Sequence, residues 1–160
     1  MDIDRSTLCY IKSRGRILLL YRCKKKNDVN EGKWIGVGGH IEVSETPLEC
    51  VKREIYEETG LKTSSCDYRG IVTFIQNDTY CEEMHLFTAT PDLPSGYNYE
   101  NLPDCDEGIL KWVPEDEAED LPTWEGDKIF IRLIRENKPF FRLRLSYYGD
   151  KLVDSSVSYD

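Results

Sequence analysis

The 160-residue chain reads as an α/β (α+β) domain, a mixed β-sheet sandwiched between helices. Apolar and alternating runs of strand length recur from residue 6 to residue 157, with turn residues between them. Two stretches, 47–59 and 126–136, instead carry apolar side chains at helical spacing. Neither an internal repeat nor a low-complexity linker divides the chain, so 1–160 reads as a single domain.

Residues 6–12 and 16–22 form two strands joined at Arg14-Gly15. Lys24 to Lys33 is a polar loop leading to Trp34, and Gly36, Gly38 and Gly39 follow as a loop whose backbone can approach a ligand. The helix over 47–59 has every start and stop signal. Thr46 is a good N-cap, Pro47 fits the first helical position, and Glu49 completes a capping box. Leu48, Val51 and Ile55 are the face expected to dock on the core, and Gly60 ends the helix. Strands follow at 68–75, 82–89 and 108–113, with a long surface loop over 91–106 that holds three prolines. The second helix turns Ile129 and Leu133 inward, with Phe130 and Ile134 beside them. Strands 139–147 and 151–157 close the chain around Gly149-Asp150.

Glu54, Glu57 and Glu58 sit at i, i+3 and i+4, which puts three carboxylates on one helix face. Like charges so close weaken a helix unless a cation binds among them. Hard oxygen ligands grouped in this way suit Mg²⁺, with Mn²⁺ as a substitute. Arg53 lies four residues before Glu57 and can hold that carboxylate in one rotamer. The competing reading of the carboxylates alone is a solvated acidic face.

The wider pattern is more specific. Gly39, Glu45, Arg53-Glu54, Ile55, Glu57-Glu58, Gly60 and Leu61, in a frame of fixed spacing approached by Trp34-x-Gly36-x-Gly38, resemble the complete signature of the Nudix hydrolases. That resemblance implies a Nudix fold and metal-dependent hydrolysis of a nucleoside diphosphate linked to another group. It implies Glu54, Glu57 and Glu58 as metal ligands, with the Gly39 carbonyl as a further one. Arg53 then orients Glu57, and Glu45 holds the outer edge of the site.

From Thr7 to about Val153 the chain also resembles the MutT-type enzymes that act on oxidised purine nucleoside triphosphates. That match implies Trp124 as a base-stacking ring, Asp127 as a reader of the base edge, and Phe74 as the opposite wall. Gly126 and Ile35 depart from it, standing where animal members carry a second aspartate and an asparagine. The implied reaction is water attack on a nucleoside triphosphate, 8-oxo-dGTP among the candidates, giving a nucleoside monophosphate and pyrophosphate. ADP-ribose, dinucleoside polyphosphates and nucleotide sugars are the alternative substrates within the family, and a ligand sensor without turnover is the alternative outside catalysis.

Other side chains invite a role. Glu107 lies where a further metal-binding or base-like carboxylate is expected, or is a solvated strand-edge acid. With Glu58 and Glu83 it is a candidate general base. Arg22, Lys24, Lys25 and Lys26 either meet substrate phosphates or form a solvated charge run. Of Glu82 and Glu83, strand alternation sends only one to the site face. His85 reads as a packed strand histidine, and His40 carries no assigned chemistry.

Twenty-one basic against 30 acidic residues give a net charge of −9, which argues against a nucleic-acid polymer as partner. A small polyanionic nucleotide remains compatible, because a bound cation inverts the local field. The six cysteines form no C-x-x-C pair, and only His40 and His85 are available to join them, which disfavours zinc. Without a signal peptide or a long apolar run, the expected setting is the reducing cytoplasm, with no membrane association and a monomer or homodimer.

Overall fold

A computed structural model describes residues 2–159. Alternating side chains build β1 (Ile3–Ser13), which turns at Arg14-Gly15 into β2 (Arg16–Arg22). A two-residue strand, β3 (Trp34–Ile35), precedes α1 (Pro47–Thr59). The long strands β4 (Thr63–Gln76) and β5 (Tyr80–Pro91) form a hairpin, and β6 (Gly108–Pro114) runs into a 3-10 turn at Glu115–Asp120. Then come α2 (Glu125–Arg135), β7 (Phe141–Tyr148) and β8 (Lys151–Tyr159). The eight-stranded sheet has the order β3-β2-β1-β5-β4-β7-β8, with β6 paired to β2. The β1–β5 and β4–β7 pairs are parallel and the rest antiparallel, so the expected mixed sheet is present.

A fork in this sheet positions the site. β6 pairs with β2 along its whole length, so β1 and β3 share the other edge of β2. β1 holds only its start, at Arg16 to Leu18, and β3 holds its end, at Leu20 and Tyr21. The chain after β3 then crosses to β1, where Val37 and Cys9 exchange backbone hydrogen bonds of 2.6 and 3.1 Å. Gly39 accepts the Thr7 amide at 2.8 Å. Residues 34–41 thus wedge the two strands apart. At Gly38 a Cβ would run into the Thr7 backbone, so only glycine allows this approach.

Alternation along β1 splits the core between the two faces. Leu8 and Tyr10 pack toward α2 with Val72, Leu86, Phe130 and Leu145, while Cys9 and Ile11 pack toward α1 with Leu18, Val51, Ile55 and Phe87. Helices on both faces are what a sheet with two apolar sides requires.

Some local expectations need correction. β1, β4 and β5 extend beyond 6–12, 68–75 and 82–89, because neighbours pair even the polar residues at their ends. Leu48 is exposed, and Cys50 fills the buried position on α1 in its place. In α2 the buried apolar side chains are Phe130, Ile131 and Ile134, with Ile129 and Leu133 only partly covered. The 91–106 loop is tied down: Tyr97 and Tyr99 pack edge-on against Trp112, whose indole N–H reaches the Tyr97 hydroxyl at 3.1 Å. Among the described residues, no helix is long and apolar enough to cross a membrane.

Candidate active site

The capping box closes on α1 as the sequence requires. Glu49 N–H donates to Thr46 Oγ1 at 3.1 Å, and Thr46 N–H donates to Glu49 Oε1 at 3.0 Å. At the other end Gly60, with φ of 72°, turns back to bond the Tyr56 carbonyl at 2.8 Å. A helix fixed at both ends, with Val51 and Ile55 buried, presents Glu54, Glu57 and Glu58 in a defined direction.

Arg53 organises the acidic cluster. Its Nε and Nη2 form a bidentate pair with Glu45 at 2.6 and 2.9 Å, a geometry that a lysine cannot reproduce. Nη1 then reaches Glu54 at 2.8 Å and Glu57 at 3.2 Å, and Nη2 also meets the His40 carbonyl at 3.2 Å. The guanidinium beside Glu45 holds that carboxyl well below its usual range, at about 2. Glu45 is therefore the anchor that aims Arg53, and Glu54 is bound more closely than Glu57.

Glu58 is not held by Arg53 in the way Glu54 is; it accepts the Gly38 N–H at 3.2 Å. Burial, reinforced by the charges of Glu107 and Glu54, pushes its carboxyl up to about 8. Burial likewise raises Glu54, against the pull of Arg53. Glu107 lines the same cleft as Glu58. Arg22 Nη1 donates to it at 2.9 Å and Lys25 Nζ at 3.1 Å, while Arg22 Nε is held by Asp28 at 2.7 Å. Lys24, in contrast, donates to the Cys105 carbonyl at 2.9 Å, and Lys25 takes its place on the cleft wall. The Gly39 carbonyl is directed at Thr7 on β1. What Gly39 supplies is room, since a Cβ there would lie 2.5 Å from the Glu54 carboxyl.

Of these groups Arg22, Lys25, Asp28, Gly39, Glu58 and Glu107 line one end of a cleft of about 610 Å³, and Phe74, Trp124 and Asp127 line the other. Glu54 adjoins the cleft at Gly39. Phe74 meets Trp124 edge-on with centroids 5.7 Å apart. The Trp124 indole N–H donates to Asn30 Oδ1 at 2.8 Å, and the Lys33 ammonium stands over its ring at 4.5 Å. Asp127 takes a 3.4 Å bond from Thr123 Oγ1, and withdrawal from water raises its carboxyl to about 7. Gly126 is a packing requirement: its N–H donates to Tyr147 Oη at 2.7 Å, and a Cβ would sit 2.5 Å from Leu145 and 2.7 Å from that hydroxyl. Ile35 lines the same cleft without a polar atom in its side chain.

Among the described residues, no three His, Cys, Asp or Glu side chains meet at one point as a ready metal cage. The donor set nonetheless fits a hard divalent cation. It consists of carboxylate oxygens, of which those of Glu54 and Glu58 are made harder to ionise first by burial and then by neighbouring carboxylates, and Mg²⁺ needs few protein ligands because it keeps several waters. Sequence reasoning missed Asp28, Asn30, Lys33 and Tyr147. The partners of Asn30, Lys33 and Tyr147 lie far away in the chain, and the Arg22–Asp28 pair closes across a loop without regular spacing, so local pattern carries no signal for them.

Comparison with known proteins agrees with this arrangement. Residues 3–134 match the NUDIX domain family. The uncharacterized Nudix hydrolase YvcI of Bacillus subtilis is 30% identical over 127 residues, 78% of this chain and 75% of that protein. The oxidized purine nucleoside triphosphate hydrolase of Danio rerio is 30% identical over 136 residues, 84% of this chain and 81% of its own. The crystal structure of a MutT protein from Bacillus halodurans superimposes with a TM-score of 0.83 at 26% identity, covering 97% of each chain. A MutT protein from Methanosarcina mazei, 28% identical, gives 0.65 over 85% of this chain and 96% of its own. With most of its length, the signature helix included, matched by that family's model, the chain belongs to the Nudix family of hydrolases.

Proposed function

We propose that this hydrolase is a Mg²⁺-dependent nucleoside triphosphate diphosphatase, converting its substrate to a nucleoside monophosphate and pyrophosphate, with 8-oxo-dGTP among its substrates. The observation that carries this reading is the continuity of the cleft. Acidic and basic side chains suited to phosphate and metal line one end, and the rings of Phe74 and Trp124, which touch edge-on rather than facing each other as opposite walls, line the other. The relatives named for oxidised purine nucleotides support the same substrate class.

Glu54, Glu57 and Glu58 would hold Mg²⁺, and Arg53, fixed by Glu45, positions the first two. When bound, the metal would neutralise charge on the phosphate oxygens and acidify water. Arg22 and Lys25 are placed to exchange Glu107 for substrate phosphates. The charge of Glu107 bears on Glu58, and one of the two carboxylates accepts the proton of the attacking water. Phe74 and Trp124 pack against the base, and Asp127 meets its polar edge.

The test is a panel of 8-oxo-dGTP, the ordinary dNTPs, ADP-ribose, diadenosine polyphosphates and UDP-glucose, compared by kcat/KM with Mg²⁺. A triphosphate at the head of the ranking is expected. A sugar nucleotide or a dinucleotide at the head would defeat the assignment.

A further inference from the structure

The aromatic end of the cleft contains a carboxylate that the reaction described above does not use. Tyr80, Glu82 and Met84 alternate along β5 and line the cleft together, on the face covered by α2. Parallel pairing sets Asp4 beside Glu82 and Ser6 beside Met84, so Ser6 lies diagonal to Glu82. Ser6 Oγ donates to Glu82 Oε2 at 2.5 Å, and Tyr80 Oη donates to Oε1 at 2.9 Å. Both oxygens are thus held in one orientation by neutral hydroxyls, which do not cancel a negative charge. In a cleft for a polyanion that charge is a cost, unless the ligand itself brings N–H donors to it.

Nearby polar groups are mostly occupied. The Trp124 N–H is taken by Asn30, the Gln76 amide donates to the Gly149 carbonyl at 2.6 Å, and the Gly126 N–H is taken by Tyr147. Each Glu82 oxygen keeps a further lone pair, so the carboxylate is a two-point acceptor. Resting on the nucleotide reading of the cleft, we infer that Glu82 is a specificity residue that binds the adjacent ring N–H and exocyclic amino group of a guanine-type base, oxidised at C8 or not.

Chemistry selects that base. A guanine edge presents two neighbouring donors, one for each carboxylate oxygen. Adenine and cytosine place an acceptor nitrogen beside their amino group, and uracil or thymine flanks its single N–H with carbonyls. Each of these sets a lone pair against the carboxylate. Asp127, which lies within the electrostatic reach of Glu82, keeps a proton near neutral pH and can donate it to a carbonyl of the same base.

The test is calorimetric binding of dGMP, dIMP and dAMP to the intact protein in EDTA, where no turnover is needed. dIMP lacks only the amino group. Wild type is expected to bind dGMP about tenfold or more tightly than either of the others, the discrimination of a site built around ligand donors. Glu82→Gln is expected to bring the three within about threefold of one another. Ser6→Ala, which frees the carboxylate without removing it, should give an intermediate preference, and both variants should keep the wild-type thermal transition to within a few degrees. Equal binding of the three by wild type, an unchanged preference in Glu82→Gln, or no binding of any would overturn the inference. The hydrolysis panel judges the triphosphatase reading separately, because a hydrolase that ignores the base would still lead that panel with triphosphates.

Discussion

Asp127→Asn should make the protein less sensitive to alkali, and the structure sets the sign and scale. In the folded chain the carboxyl keeps its proton up to about 7, against an ordinary value of 3.8, because the cleft withholds water and Glu82 adds negative charge. A folded-state value above the unfolded one means that the unfolded chain releases its proton first. Stability from this group is therefore fully present below about pH 4 and declines as pH rises to about 7. The full shift corresponds to about 4 kcal/mol, and water in an open cleft reduces the expected loss to about 1–3 kcal/mol at pH 8. Asparagine retains an oxygen for the Thr123 hydroxyl and has no proton to lose. Urea unfolding of both proteins from pH 4.5 to 8.5 is the assay. The stability difference, variant minus wild type, should grow with pH and level off above about pH 7.5. A difference that stays constant across the range would refute the reasoning.

Other outcomes follow from the same geometry. Glu57→Gln should lower kcat by about 100-fold or more with an unchanged circular dichroism spectrum and thermal midpoint, and near-normal turnover would remove Glu57 from the site. Gly39→Ala puts a methyl 2.5 Å from the Glu54 carboxyl, the movable end of a side chain. Metal-dependent kcat/KM should fall about tenfold or more while the urea midpoint moves little, so the two assays together check it. Gly126→Ala meets Leu145 and Tyr147 in packed surroundings and should cost about 1–3 kcal/mol in urea unfolding.

The parts of the molecule legible in the sequence are those set by local spacing. Thr46, Pro47, Glu49 and Gly60 bound α1 within the chain's own frame, so the helix and its three carboxylates were readable to the residue. Arg53 was readable as a partner for Glu57, but its stronger pairing with Glu45 depends on how 40–46 folds back over the helix. The fork between β1 and β2 was not readable, since β3 is only two residues long and the glycine segment pairs without forming a strand. The Arg22–Glu107 and Ser6–Glu82 pairs span 85 and 76 residues, and only the sheet order brings them together. For the same reason the choice between Lys24 and Lys25 was closed to sequence reasoning: adjacent side chains on a loop diverge according to the wall each meets.

The central claim, that the Glu54-Glu57-Glu58 face cleaves a triphosphate to release pyrophosphate, is tested most directly by ³¹P NMR of the products formed with Mg²⁺, with EDTA, and by Glu57→Gln. The account predicts pyrophosphate and nucleoside monophosphate from wild type with Mg²⁺, and almost no product in the other two samples. Orthophosphate with a nucleoside diphosphate, or equal pyrophosphate release by Glu57→Gln, would contradict it.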